Sequence, residues 1–214
     1  MTKKYIKYII ILVLMLVIFI PFNGSYRVQS IDDLAYLVAI GIDVGETNEL
    51  KVTFEFTMPN SSGESTSSEI APTIVNSIEA SSLDSAINLM NTYVSKEINL
   101  SHCKAIVLSE TFASTGVSKL LYSIINKVQI RPNSYIIISK CNAEDFIQNI
   151  HPSLENLIAK YYEIVPISSK YTGYTVNAKI GDFFNQLSSQ TSEPVAMLRR
   201  YRRLFIWTYR SFRL

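Results

Sequence analysis

The chain's 214 residues match one mid-sized domain, or one and a half small ones. With 48% apolar and 18% charged residues, it is neither intrinsically disordered nor a coiled coil. The formal net charge of +2 averages unlike segments. Setting aside Lys3, Lys4, Lys7 and the six Arg of 199–214 leaves 11 bases against 18 acids over 8–198, a net of −7. A nucleic-acid binder needs a basic face on its folded body, so no nucleic-acid partner is expected. Two Cys and two His are too few for most tetrahedral zinc sites built from one chain.

The first element is apolar. Lys3, Lys4 and Lys7 precede 13 consecutive apolar residues, Tyr8 to Ile20, closed by Pro21. That length suits a signal-peptide core and is short for a membrane span of ~20 residues. Counted from Tyr5 to Phe22 with Lys7 snorkelling, a span fits. The Lys cluster sits where the positive-inside rule places it, so residues 25 onward are expected outside the cytoplasm. Residues 1–24 therefore read as a signal peptide or membrane anchor, with cleavage near Asn23-Gly24-Ser25 as the alternative to retention.

Ala35 to Asp43 is a continuous apolar run ended by Asp-Val-Gly, which predicts a buried strand and turn. Leu50 to Met58 alternates Val52, Phe54, Phe56 and Met58 with Lys51, Thr53, Glu55 and Thr57. This predicts a half-buried strand joined to the first by the Glu46–Glu49 loop. Pro59 to Glu69 reads as a solvated loop, and Ile70 to Glu79 as a further strand. Leu83, Ala86, Ile87, Met90 and Val94 share one helical face, with Ser82 as N-cap.

Lys104 to Ser109 and Ser134 to Ser139 read as short buried strands. A helix starting near Ser118, after Gly116, lies between them, so the three form a right-handed βαβ unit. Helices are expected over Ala143–Ile150 and Ser153–Glu163, and a short one over Gly181–Ser188. The fold class is therefore mixed α/β: an N-terminal helix, then a mixed sheet with flanking helices. In that arrangement about six residues at ~3.3 Å each separate the levels of Cys103 and Cys141. Two free thiols are expected, since a disulfide cannot span that gap.

Residues 199–214 change character: six Arg, no Lys and the only Trp. As a helix, 198–214 would have no clean apolar stripe, so the segment is expected to pack poorly. The abrupt switch suggests truncation or a frameshift ahead of an interfacial element resting on anionic lipid.

Several stretches together resemble the Ger(x)C family, the C subunits of spore germinant receptors. They are Gly24-Ser25-Tyr26, Ile31 to Asp43 with its Ile40-Gly-Ile-Asp43 end, Lys51-Val-Thr-Phe54, Asn99 to Glu110, and Ile130 to Ile138. The resemblance implies a family-like α/β domain over 25–170, the start of a following region over 171–198, and an atypical tail over 199–214. It further implies a non-enzymatic subunit acting in germination on the extracytoplasmic face of the spore inner membrane or cell membrane. Its partners would be membrane lipid and the receptor's membrane-embedded A and B subunits. Family members are typically lipoproteins acylated on a Cys. Here Ser25 stands at the expected lipobox position, so no lipidation residue is carried over.

No catalytic, cofactor-binding or metal-ligating residue is assigned. His102 and Cys103, as extended-chain neighbours, would point to opposite faces and not form a dyad. His151-Pro152 reads as a solvated or capping pair at a helix start. Asp32, Asp33 and Asp43 lack an evident third metal ligand. P-loop, Gly-x-Gly-x-x-Gly and Gly-x-Ser-x-Gly patterns are absent from the sequence. Gly41 inside an apolar strand marks a bulge or close packing. An exported solute-binding module and a hydrolase with a cryptic site are the competing readings.

Overall fold

In the computed structural model, residues 2–22, 33–57, 73–152, 155–189, 191–200 and 203–208 are described. The chain divides into two compact units, Met1–Asp33 and Leu34–Leu214. The first contains helix α1 (Thr2–Phe22), formed over the apolar run. Among the described residues no helix is long and apolar enough to cross a membrane.

The second unit is organised by its most apolar strand. In β1 (Leu34–Val44), residues 37–43 are all buried, because both faces of the strand are covered. It pairs antiparallel with β2 (Leu50–Thr57), which in turn pairs antiparallel with β3 (Thr73–Ala80). On its other side β1 runs parallel to β5 (Ala105–Ser109), and β4 (Glu97–Asn99) pairs with its start. Parallel pairing continues through β6 (Tyr135–Ser139) to β7 (Val195–Arg200), and β8 (Arg203–Thr208) closes antiparallel on β7. The strand order is β3-β2-β1-β5-β6-β7-β8.

One face carries Ile40, Ile42, Ile106, Leu108, Ile136 and Ile138 against α2 (Leu83–Tyr93), α3 (Glu110–Thr115), α4 (Ser118–Ile125) and α7 (Ile180–Ser188). The opposite face presents Ala39, Ala105, Val107 and Ile137 to α5 (Ala143–Gln148) and α6 (Ile158–Ile167). The alternation of neighbours along β5 and β6 between the two clusters is the strand period of two. Ser82 caps α2 by accepting from Ser85 N, as its sequence position predicts. Gly116, at φ 113°, separates α3 from α4 and has a conformation that L side chains avoid.

The hairpin, the parallel β5–β6 pair with its helical crossover, and the two free cysteines agree with the sequence reading. Other expectations are corrected. The α6 helix spans Ile158–Ile167 instead of 153–163. The helical reading of 198–214 fails over its described part. Arg199 and Arg200 end β7, and residues 203–208 form β8. Backbone pairing decided this: Lys140 N donates to Arg199 O at 3.0 Å, and all six β8 positions pair with β7. The half-buried reading of β2 also fails. Thr53 and Glu55 are 0% and 2% exposed, because helices cover their face of the sheet too. At Gly41 close packing, not a bulge, is the reason for glycine: an added Cβ would lie 2.8 Å from Ile147 Cδ1 and 3.2 Å from Ala143 Cβ. The register shift of β1 falls between Leu37 and Ala39 instead. Residues 59–69 and Asp32 lie outside the described residues.

Candidate functional site

In open α/β sheets, ligands usually sit beyond the carboxyl ends of the strands. Here the carboxyl ends of β1 and β6 are occupied by the protein itself. Asp43, at the end of β1 and 4% exposed, accepts from Ala143 N at 2.7 Å and Glu144 N at 3.1 Å. The helix's own N-cap residue, Asn142, makes no side-chain cap bond, so Asp43 replaces it from a strand 100 residues earlier. Ser139, ending β6, accepts from Cys141 N at 3.3 Å. Beside them Lys51 and Glu144 form a 2.5 Å ion pair, and Ser77 donates to Glu144 at 2.7 Å. The bond to Glu144 raises the Lys51 ammonium. Burial works to raise the Glu144 carboxyl, but the Lys51 and Ser77 bonds outweigh it and hold it low. Asp43 is thus a helix cap. Among the described residues no group of three or more His, Cys, Asp and Glu side chains is placed to hold a metal ion.

A second polar feature lies under α6. The Tyr162 hydroxyl donates to Glu55 Oε2 at 2.8 Å, both groups being buried. Burial pushes the Glu55 carboxyl up to about 7, against the lowering effect of the tyrosine bond. The same burial, with Glu55 beside it, raises the Tyr162 hydroxyl well above its ordinary value. Sequence reasoning missed Glu55 because its alternation with Phe54 and Phe56 is the pattern of a solvated face. No local signal distinguishes the two cases.

The histidines do not assemble a reactive site. His102 ends a 3-10 turn, Leu100–His102, with Cys103 as its C-cap, which replaces the extended conformation expected there. Its ring packs edge-on against Tyr36 at 5.0 Å, while the Cys103 thiol turns inward to Ala105 O at 3.6 Å. Burial pushes that thiol up to about 12, so it is not a thiolate nucleophile. His151 is exposed and follows α5 by three residues, not at a helix start.

The opposite, amino-terminal edge of β5 and β6 is open. A cleft of about 310 Å³ lies there, with Lys104, Arg131, Lys179, Asn133, Tyr135 and Glu163 in its walls. Lys104 and Glu163 form a 2.5 Å ion pair across it. Burial, and then the Glu163 charge, raise the Tyr135 hydroxyl.

The known proteins that this chain is similar to agree in kind. It is 24% identical over 191 residues to Spore germination protein KC of Bacillus subtilis (strain 168), covering 86% of this chain and 46% of that protein. It is 26% identical over 153 residues to a second protein of that organism with a spore germination description, YfkR, covering 69% and 39% respectively. The chain thus spans less than half the length of these relatives. No solved structure matches it significantly. The family model described as the spore germination protein N-terminal domain matches residues 27–198, most of the chain and nearly all of its sheet. The chain belongs to the family of spore germination protein N-terminal domains.

Proposed function

We propose that the protein is a non-enzymatic, membrane-associated subunit of a spore germinant receptor. It acts on the extracytoplasmic face of the spore inner membrane with the receptor's A and B subunits. The observation that carries this reading is the family match over 27–198. The basic start and apolar run of α1 supply the membrane attachment, because Ser25 has no thiol to carry a thioether-linked lipid.

The test is recovery of the full chain from detergent-solubilised spore inner membrane with an affinity tag. Co-purification of the A and B subunits is expected, together with slower nutrient-triggered germination when the gene is deleted. Recovery in the soluble fraction, or a deletion strain germinating at the wild-type rate, would overturn the reading. Labelled palmitate should not enter the unmodified chain, whereas Ser25→Cys should admit it.

A further inference from the structure

We propose that the cleft at the amino-terminal edge of β5 and β6 binds a doubly charged oxyanion of phosphate type, free in solution or carried on a lipid headgroup. The first observation is charge. Lys104, Arg131 and Lys179 against Glu163 give the charged walls +3 − 1 = +2. The unit Leu34–Leu214 holds 16 Lys and Arg against 16 Asp and Glu, so the rest of that unit carries −2. Positive charge is therefore concentrated in a concave place on a body that is otherwise slightly acidic. A phosphate dianion matches a site of +2.

The second observation is that one short segment, Ser134–Tyr135, holds the backbones of all three cations. Tyr135 N donates to Lys104 O at 2.8 Å, and Ser134 N donates to Arg131 O at 2.9 Å. Lys179 faces Tyr135 in an antiparallel bridge, flanked by Ile136 N to Ala178 O and Ile180 N to Ser134 O. Ser134 Oγ also donates to Cys103 O at 2.7 Å, fixing the floor. The three side chains thus leave a rigid base, which lowers the ordering cost of binding. A guanidinium fork with two ammonium groups is the donor set that suits phosphate oxygens.

The third observation is availability. Lys104 is paired with Glu163, whereas Arg131 and Lys179 bond to no side chain among the described residues. Glu163 offsets one of the three positive charges in these walls. An arriving oxyanion completes the neutralisation and competes with Glu163 for Lys104. Asn133 and the Tyr135 hydroxyl in the same walls offer further donors to its oxygens.

The experiment uses the full chain in a neutral detergent at low ionic strength. Inorganic phosphate is titrated while amide and phosphorus resonances are followed. Saturable binding is expected, weakened at least tenfold in the R131Q/K179Q double variant and tightened severalfold in E163Q, with melting temperatures checked for each. Because α1 is itself apolar, vesicle binding is read as the difference between the wild-type chain and the double variant. A difference on phosphatidic acid but not phosphatidylcholine vesicles, abolished by inorganic phosphate, assigns the headgroup. Phosphate binding without such a difference assigns a free anion. Absence of saturable phosphate binding, or equal affinity in a folded double variant, overturns the proposal.

Discussion

Tyr162 on α6 and Glu55 on β2 are 107 residues apart and meet in a 2.8 Å hydrogen bond inside the layer between helix and sheet. The bond joins α6 to the antiparallel half of the sheet. The burial of Glu55 makes the stability of the domain depend on pH in a direction opposite to that of an ordinary paired carboxylate. Glu55 is raised from 4.5 to about 7 by burial, so the folded state holds its proton more tightly than the unfolded chain does. The stabilisation is fully present below pH 4.5 and is lost as pH rises through about 7. The size of this effect is roughly 3 kcal/mol at ~1.4 kcal/mol per unit. Urea unfolding at pH 5 and pH 8 should show the loss, and Glu55→Gln should remove most of it. An E55Q variant retaining the full pH dependence would assign it to another group.

Glu79 works in the usual direction. Its carboxylate accepts from the backbone N–H groups of Glu46, Thr47 and Asn48, and from the Thr47 hydroxyl at 2.7 Å. The hydroxyl bond first, then those of the backbone, lower it to about 2. A lowered carboxyl contributes stability above pH 4.5 that is lost as pH falls through about 2. Glu79→Gln should speed amide exchange at residues 46–48 while leaving β5 and β6 protected. Unchanged exchange there would show that the loop is ordered without Glu79.

Asp43 can be tested by graded removal. Asp43→Ala leaves the Ala143 and Glu144 N–H groups without their acceptor and should cost about 2–4 kcal/mol. Asp43→Asn keeps one acceptor oxygen and should cost roughly half as much. Denaturant midpoints read both. Equal midpoints for wild-type and Ala variants would remove the cap from the account.

Gly41 gives a packing test. In Gly41→Ala the new methyl group lies 2.8 Å from Ile147 Cδ1 and 3.1 Å from Thr53 Cβ. Overpacking should cost about 1–3 kcal/mol. Ile147→Val removes the nearest atom, so the double variant should lose less than the sum of the singles. Additive losses would mean that Thr53 and Ala143, not Ile147, set the limit.

The sequence by itself determined every element whose residues supply their own local reason. The apolar run ending at Asp43 makes β1, and Ser82 starts α2 by capping it. Gly116 breaks the crossover helix, and the apolar strands Ala105–Ser109 and Tyr135–Ser139 pair in parallel because a helix joins them. The spacing of Cys103 and Cys141 left them as free thiols for the same reason of strand geometry. The family, too, was legible in motif stretches, all of which except Gly24-Ser25-Tyr26 lie within the match over 27–198.

What only the tertiary structure decided were the relations between distant segments. The alternation along β2 reads as one wet face until α6 covers it, and burial alone turns Glu55 from a surface acid into a raised one. Asp43 reads as a strand-end acid until α5 arrives with unsatisfied N–H groups. Residues 203–208 have no helical stripe and no isolated reason to order, yet β7 presents a free edge whose backbone groups need partners. The cationic cleft follows the same logic. Lys104, Arg131 and Lys179 are scattered along the sequence, and they converge because each is hydrogen-bonded or bridged to Ser134–Tyr135 at the start of β6. Propensity and periodicity act over a few residues, whereas desolvation, capping at a distance and charge convergence depend on which segments the sheet brings together.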